Sequence, residues 1–308
     1  MVPGVTGMPV DLAAGDLVQP FQVEAPGLRG RLVRLGPAVD TILTRHDYPA
    51  PVARLLAEAL ALAAALAGAL KYEGVFTLQI KGEGPVKMLV ADITSAGKLR
   101  GYAEIAGDLP DAAAIEAAPV PRLCGKGFLA FTVDQGEHTE RYQGIVELDG
   151  ATLGDCIHHY FVQSEQFSAA VRLAARQDSS GVWQAGALML QRLPDHEAII
   201  AREERDESWR RAVILMSSAR DAEILDFALT PTDLLYRLFH EDGVRIFSPH
   251  GLAFGCRCSR DRAARILSSL PRDEVVDLTV DGQVTVTCQF CNTTQAFDET
   301  QIAALYEA

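Results

Sequence analysis

The sequence lacks an excess of positive charge. Its 28 Lys and Arg residues are outnumbered by 41 Asp and Glu residues, which gives a formal net charge of −13 at pH 7. A surface that binds nucleic acid needs a basic footprint, and an anionic membrane repels a chain of this charge. The composition therefore predicts neither a nucleic-acid partner nor a membrane partner.

A membrane-spanning run and an export signal are also missing. The charge-free part of the most apolar segment, residues 59–70, covers 12 residues, whereas a spanning helix needs about 20. We expect a buried Ala/Leu helix there. Met1 to Gly7 contain neither the basic region nor the apolar stretch of a signal peptide. Six cysteines without an export signal indicate a reducing compartment, so the expected location is the cytoplasm.

Signatures of nucleotide binding and of nucleophilic catalysis are absent as well. The glycine-rich stretches 82–85 and 125–127 do not fit the phosphate-binding pattern G-x-x-x-x-G-K-S/T and are interpreted as turns. His158 and His159 lie beside Cys156, but no third group nearby completes a catalytic arrangement. Cys156 and Cys124 are interpreted as buried, inert thiols. No enzyme activity is expected.

Cysteine is concentrated near the C-terminal end. One C-x-C pair, Cys256 and Cys258, and one C-x-x-C pair, Cys288 and Cys291, are separated by 29 residues. Two close pairs joined by a long loop are typical of sites in which four thiolates hold one tetrahedral ion. All-sulfur tetrahedral sites suit zinc or iron–sulfur centres, and zinc is the expected occupant.

Hydrophobic periodicity predicts an α+β fold. Alternating runs within residues 17–35, 75–103 and 128–190 predict a mostly antiparallel sheet accompanied by helices. After Pro194 the chain becomes dense in charge and is predicted to be helical. The predicted divisions are an α+β core domain over residues 1–193, a charged helical linker over residues 194–243 and a small zinc-binding domain over residues 244–308.

The last domain is predicted to depend on its metal. A region of ~60 residues has a marginal hydrophobic core, whereas a structural zinc site supplies about 10–16 kcal/mol of apparent folding free energy. A closed four-cysteine site cannot activate water, so its usual role is structural. Thiolates are also the reactive form of cysteine, and their oxidation would remove the ligands and the folding energy together. Spacing alone leaves both roles open.

Other functions fit parts of the same pattern. A static zinc module for protein interaction is the simplest alternative. A nucleic-acid-binding zinc module requires a basic face, but residues 244–308 contain more acidic than basic residues. A thiol–disulfide oxidoreductase usually carries C-x-x-C at a helix N-terminus, whereas Cys288 here follows a predicted strand, residues 284–287.

Several short motifs occur together with the two cysteine pairs. They are Gly125-Lys126-Gly127, Tyr142-Gln143-Gly144, the stretches Tyr160 to Gln166 and Leu234 to Glu241, Cys256 to Arg260, and Phe297-Asp298 after the second pair. With these motifs the chain, over nearly its whole length, resembles the 33-kDa redox-regulated heat-shock chaperone family of the bacterial cytosol. Gln295 departs from the pattern, because the family often has an aromatic residue there. We expect weaker packing beside the zinc site, which leaves the oxidation threshold open.

The resemblance implies an ATP-independent chaperone that holds unfolding client proteins. Its reduced form would be compact and inactive, with one Zn²⁺ bound by Cys256, Cys258, Cys288 and Cys291. Hypochlorous acid, or peroxide with heat, would form Cys256–Cys258 and Cys288–Cys291 disulfides and release the ion. The zinc domain and the linker would then unfold and expose apolar surface. The resemblance also implies that a homodimer accompanies activation.

Overall fold

The chain divides after Phe254 into two compact units, Met1–Phe254 and Gly255–Ala308. The computed structural model describes residues 15–24, 27–135, 142–163, 168–192 and 202–306. The N-terminal residues considered for a signal peptide lie outside these ranges, and so do residues 164–166 of the motif that begins at Tyr160.

Two sheets organise the first unit. Its elements, in chain order, are β1 (Leu17–Val23), β2 (Leu28–Leu35), α1 (Pro37–Leu43), α2 (Ala50–Ala67), β3 (Val75–Gly82), β4 (Val86–Thr94), β5 (Lys98–Ile105), α3 (Ala112–Ala117), α4 (Pro119–Leu123), β6 (Gly127–Asp134), β7 (Tyr142–Glu147), α5 (Leu153–Gln163), β8 (Ala169–Gln177), β9 (Trp183–Arg192), α6 (Arg202–Ser217), α7 (Asp221–Ile224), α8 (Pro231–Phe239), β10 (Val244–Ile246), β11 (His250–Gly251) and β12 (Ala253–Phe254).

The predicted α+β class with mostly antiparallel strands is confirmed. The first sheet has the order β10–β1–β2–β9–β8, and β11 also pairs with β1. The second sheet has the order β12–β5–β4–β3–β6–β7. The pairing of β12 with β5 is parallel, while the other strand pairs are antiparallel.

Helix α2 forms the centre of the main core. Fourteen of its 18 residues are buried, and they pack with residues from both sheets in one apolar cluster. The helix is long and apolar enough to cross a membrane, but 78% of it is buried inside the protein. A helix that is apolar on all sides belongs in a protein core when the surrounding chain covers it. The predicted buried Ala/Leu helix is therefore present.

The other face of the first sheet is covered by α6, α7 and α8. Apolar residues of these helices, among them Leu235 and Phe239, form a second cluster with Phe21 and Leu32 of the sheet. The rings of Phe21 and Phe239 stack with centroids 5.7 Å apart. Phe21 lies over Gly30, where an added Cβ would be 2.0 Å from the ring. In its described part, from residue 202 onward, the charged segment is thus helical and packed, and α7 forms a single turn.

The segment after α8 differs from the sequence-based expectation. The zinc domain was predicted to begin at residue 244, but β10 and β11 pair with β1, and β12 pairs with β5. These short edge strands find partners more than 150 positions away in the chain, which local periodicity does not indicate. Residues 244–254 therefore belong to the first unit, and the division into core, linker and zinc domain stays a prediction.

The second unit has a small core. Its elements are α9 (Arg260–Ser268), α10 (Arg272–Asp277), β13 (Gln283–Thr287), β14 (Thr294–Asp298) and α11 (Glu299–Ala304). Six buried side chains make up its apolar cluster: Ala263, Leu267, Val275, Val284, Phe297 and Ile302. Ser259 caps α9, since its hydroxyl accepts a hydrogen bond from the backbone N–H of Arg262. Sequence reasoning missed β14 and α11.

Candidate metal centre

Two loops of the second unit carry the four cysteines. Cys256 and Cys258 lie just before the capped start of α9, while Cys288 and Cys291 lie in the turn between β13 and β14. This turn is closed by a hydrogen bond from the N–H of Cys288 to the carbonyl of Thr293, 3.0 Å. Asn292 has φ of 55°, a left-handed conformation that a short polar side chain tolerates. The backbone of the loop and of the turn thus fixes the positions of both cysteine pairs.

The four sulfur atoms converge on one point. All six cysteines of the chain are free thiols, and the Sγ atoms of Cys256, Cys258, Cys288 and Cys291 lie within 4.8 Å of one another. Two contacts join the two pairs: the sulfur of Cys256 lies 3.7 Å from that of Cys288, and the sulfur of Cys258 lies 3.4 Å from that of Cys291. A tetrahedral ion with Zn–S bonds of about 2.3 Å would separate its sulfurs by about 3.8 Å. The donor set therefore fits one tetrahedral thiophilic ion.

Backbone N–H groups and a hydroxyl surround the second pair. Burial raises the pKa of Cys288, although the N–H groups of Cys291 and Phe290 oppose this by bonding its sulfur. Burial also opposes ionisation of Cys291, but the hydroxyl and N–H of Thr293 and the neighbouring thiols outweigh it and lower the pKa of Cys291 to about 6. The lowered pKa favours the thiolate of Cys291, which is the form that binds metals.

The first pair differs in its electrostatics. Burial raises the pKa of Cys258, and hydrogen bonds with the thiols of Cys291 and Cys256 raise it further. Sulfurs crowded together without a cation resist ionisation, because a second negative charge nearby is unfavourable. Such crowding is relieved when a divalent cation sits among them. Cys256, Cys258 and Cys288 are half-buried, so small solutes have access to the site.

Sequence reasoning missed residues that support the site. The thiol of Cys291 donates a hydrogen bond to the hydroxyl oxygen of Thr293, 3.3 Å away. The guanidinium of Arg260 lies 4.3 Å from the ring centroid of Phe297 and bonds Gln301 at 2.8 Å. These contacts tie the start of α9 to β14 and α11. Gln295, the departure from the family pattern, is half-buried opposite Val286.

Among the residues that the structure describes, the other cysteines and histidines form no comparable group. Cys124 and Cys156 are fully buried in the core of the first unit. Burial raises the pKa of Cys124 to about 12 and that of Cys156 to about 11, so both are unreactive at neutral pH. Nδ1 of His159 lies 3.3 Å from a carboxylate oxygen of Asp149. The interpretation of both cysteines as buried inert thiols agrees with these environments.

The glycine-rich stretches serve backbone packing. A Cβ on Gly82 would lie 2.2 Å from the carbonyl oxygen of Cys124, and the N–H of Gly84 donates to that carbonyl at 2.7 Å. The stretch at 125–127 lies against the same turn, because a Cβ on Gly125 would be 2.8 Å from the backbone nitrogen of Gly84. Their interpretation as turns, rather than as phosphate-binding loops, fits this contact.

Fold and site together define a class: a two-unit α+β protein whose smaller unit gathers four free cysteines suited to one metal ion. A family model described as Hsp33 protein matches residues 16–298. The chain belongs to the Hsp33 family, a family of chaperones.

Individual relatives agree with this membership. A 33 kDa chaperonin of Caulobacter vibrioides is 41% identical over 285 residues, which cover 90% of this chain and 93% of the relative. One from Pseudomonas fluorescens is 39% identical over 300 residues, which cover 96% and 95%. The crystal structure of the 33 kDa chaperonin from Thermotoga maritima superposes with a TM-score of 0.80 at 26% identity and covers 95% of this chain and 98% of that one.

Proposed function

We propose that the protein is a redox-regulated, ATP-independent chaperone that holds unfolding client proteins in the bacterial cytoplasm. Membership in a chaperone family supports the activity. The observation that carries the regulation is the convergence of four free sulfurs within 4.8 Å, in a unit whose apolar cluster has only six buried side chains. A unit with so little core needs another source of folding free energy.

In the reduced form, Cys256, Cys258, Cys288 and Cys291 bind one zinc ion. Zinc, when bound, supplies the positive charge that keeps four crowded thiolates ionised and joins the two loops. The backbone N–H groups around Cys288 and the hydroxyl of Thr293 orient and stabilise the thiolates. With all four ligands from the protein the site is closed, so it does not catalyse hydrolysis.

Oxidation converts the four ligands into two disulfides. Each pair of thiolates forms one S–S bond and gives two electrons to the oxidant, hypochlorous acid or peroxide, which is reduced to chloride and water or to water. The proposed pairs are Cys256–Cys258 and Cys288–Cys291. All four sulfurs lie within the same 4.8 Å, so the connectivity is a matter for peptide mapping of the oxidised protein.

Loss of the ligands then uncovers client-binding surface. Without its metal, the zinc domain loses most of its folding free energy, and the preceding linker, residues 194–243, leaves the sheet. That exposes Phe21, Leu32 and their apolar neighbours in the second cluster. Exposed apolar surface binds unfolding clients and also favours association of two copies as a homodimer.

The direct test oxidises the purified, zinc-loaded protein. Zinc release is followed with a chromogenic chelator, and light scattering measures aggregation of a heat-unfolded client. We expect zinc loss and aggregation suppression to appear together and to reverse with reductant and zinc. The control is a C124A/C156A variant, which keeps the four proposed ligands and should respond like the wild type. Zinc loss without aggregation suppression would contradict the chaperone proposal.

A further inference from the structure

A buried arginine lies beneath the linker helices. Arg34 of β2 is only 2% exposed, and strand alternation directs it to the same face as Leu32 in the second apolar cluster. Its three hydrogen bonds in the described part of the chain go to backbone carbonyls of the linker. Nε donates to Ile224 at 2.8 Å, Nη2 donates to Glu223 at 3.0 Å, and Nη1 donates to Leu229.

These carbonyls lack helical partners of their own. Helix α7 has four residues, Asp221–Ile224, and the last carbonyls of a helix are left without intrahelical N–H donors. The chain then runs without a helix until Thr230 caps α8. The planar guanidinium presents five N–H donors in a fixed fork. Arg34 of the sheet thus donates hydrogen bonds to linker carbonyls at the end of α7 and just before α8 that receive none from the described part of the linker backbone.

The opposite strand shapes the same contact. Gly186 of β9 is the register partner of Arg34, and a Cβ there would come within 2.6 Å of the side chain of Ile224. The missing side chain lets fully buried Ile224 reach the sheet beside the arginine. The cross-strand pair of Gly186 and Arg34 therefore positions α7 on the sheet. Gly186 leaves room for Ile224, and Arg34 donates hydrogen bonds to the backbone of the helix.

We infer that Arg34 is a positioning residue for the proposed switch, holding α7 and the following loop on the sheet until the linker is released. The inference rests on the proposed function, because it assigns a residue to linker release. A guanidinium loses its hydration when the linker docks and regains it when the linker leaves. The hydrogen bonds of Arg34 therefore fix the position of the linker, while the cost of dehydrating the guanidinium keeps the net stabilisation smaller than an apolar side chain would give. Burial also lowers the pKa of Arg34 to about 10 against the opposing effect of Asp226, so the group stays charged at neutral pH.

The test replaces Arg34 with methionine in the full-length, reduced, zinc-loaded protein. R34M keeps much of the side-chain length and removes all donors, which leaves the carbonyls of Glu223, Ile224 and Leu229 unpaired when docked. Each unpaired buried carbonyl should favour the open linker by about tenfold or more. Hydrogen–deuterium exchange of amides in residues 221–239 should therefore be at least about tenfold faster, with zinc content unchanged.

Arg31→Met is the matched control. Arg31 lies on the same strand and is also buried, at 7% exposure, but it faces away from the linker, near Gly68 at the end of α2. R31M should leave exchange in residues 221–239 at the wild-type rate. Unchanged exchange in R34M, or equal acceleration in R31M, would overturn the role of Arg34.

A conservative variant and a client assay separate the remaining outcomes. Arg34→Lys keeps the charge but not the fork, so its exchange rate should lie between the wild-type and R34M rates. If R34M does not fold, R34K with wild-type exchange overturns the inference by itself. Reduced R34M should also suppress client aggregation without oxidant. Fast linker exchange without suppression would uphold Arg34 as the positioning residue and contradict the proposed chaperone mechanism instead.

Discussion

Each of the two compact units is stabilised internally in a different way. In the first, helix α2 buries fourteen residues in a cluster shared by both sheets. In the second, six side chains form the buried cluster, and four sulfurs converge beside it. Oxidants do not change the free energy gained by burying apolar side chains, whereas they oxidise thiolates, which can then no longer bind a metal. Under the proposed mechanism, sensitivity to oxidation therefore lies in the second unit, and the first unit stays folded and binds clients.

The largest effect should come from removing one of the four proposed zinc ligands, which should destabilise the second unit and leave the first unit folded. Cys291→Ser removes the buried thiol of the proposed zinc site. We expect it to weaken zinc binding and, with it, to lower the folding free energy of the second unit by at most on the order of 10 kcal/mol. We expect zinc stoichiometry near zero and collapsed NMR amide dispersion for residues 255–308. Cys156→Ser should retain zinc. A dispersed second unit without metal would show that its six-residue core suffices.

A cavity in the main core should have the next largest effect. Leu60 is fully buried in α2 and packs against Gly101 of β5. Leu60→Ala should lower the free energy of unfolding of the first unit by about 2–5 kcal/mol. Both tryptophans, Trp183 and Trp209, belong to this unit, so urea unfolding followed by fluorescence reports it selectively.

The control for this substitution is Leu70→Ala, at a site 44% exposed, which should change the stability by no more than about 0.5 kcal/mol. Zinc binding should be the same in both variants. A large loss of zinc in Leu60→Ala would mean that the two units do not derive their stability separately.

Local patterns predicted the features that depend on local spacing. The two cysteine pairs and the buried Ala/Leu helix are each specified by neighbours within a few positions. The bond from Arg34 to Ile224 joins residues 190 positions apart, and no period or motif indicates it. The same holds for the parallel pairing of β12 with β5. At the site, spacing grouped the cysteines but could not indicate Thr293 or Arg260 as supporting contacts.

Helix α2 carries an acidic residue, Glu58, that should make the stability of the first unit depend on pH. Burial raises the pKa of Glu58 from 4.5 to about 7; Arg54 opposes the rise, and Asp221 of α7 adds to it. The folded protein therefore holds the proton more tightly than the unfolded chain does. Stability from this group is fully present below about pH 4.5 and is lost as pH rises through about 7, with an upper bound of about 3 kcal/mol.

Urea unfolding between pH 5 and 8 checks this dependence. Glu58→Gln should flatten the pH profile relative to the wild type, because the amide does not titrate. Asp221 is also paired with Arg172 at 2.8 Å, so Asp221→Asn should reduce the slope less than Glu58→Gln does. A wild-type slope that survives Glu58→Gln would assign the pH dependence to other groups, such as Asp16, whose pKa burial raises to about 6.

The smallest effect is expected from a helix cap in the second unit. Asp298 accepts a hydrogen bond from the N–H of Gln301 at 2.8 Å, and the side chain of Gln301 accepts one from the N–H of Asp298 at 3.1 Å. Asp298→Ala should lower the stability of the zinc-loaded unit by about 1 kcal/mol, and Glu299→Ala should change it little. Because the metal outweighs the cap, thermal unfolding should shift while zinc affinity stays within a few-fold. A zinc affinity that fell with the cap would mean that α11 and the sulfur site form one cooperative element, and that the core contributes more to this unit than its six buried side chains suggest.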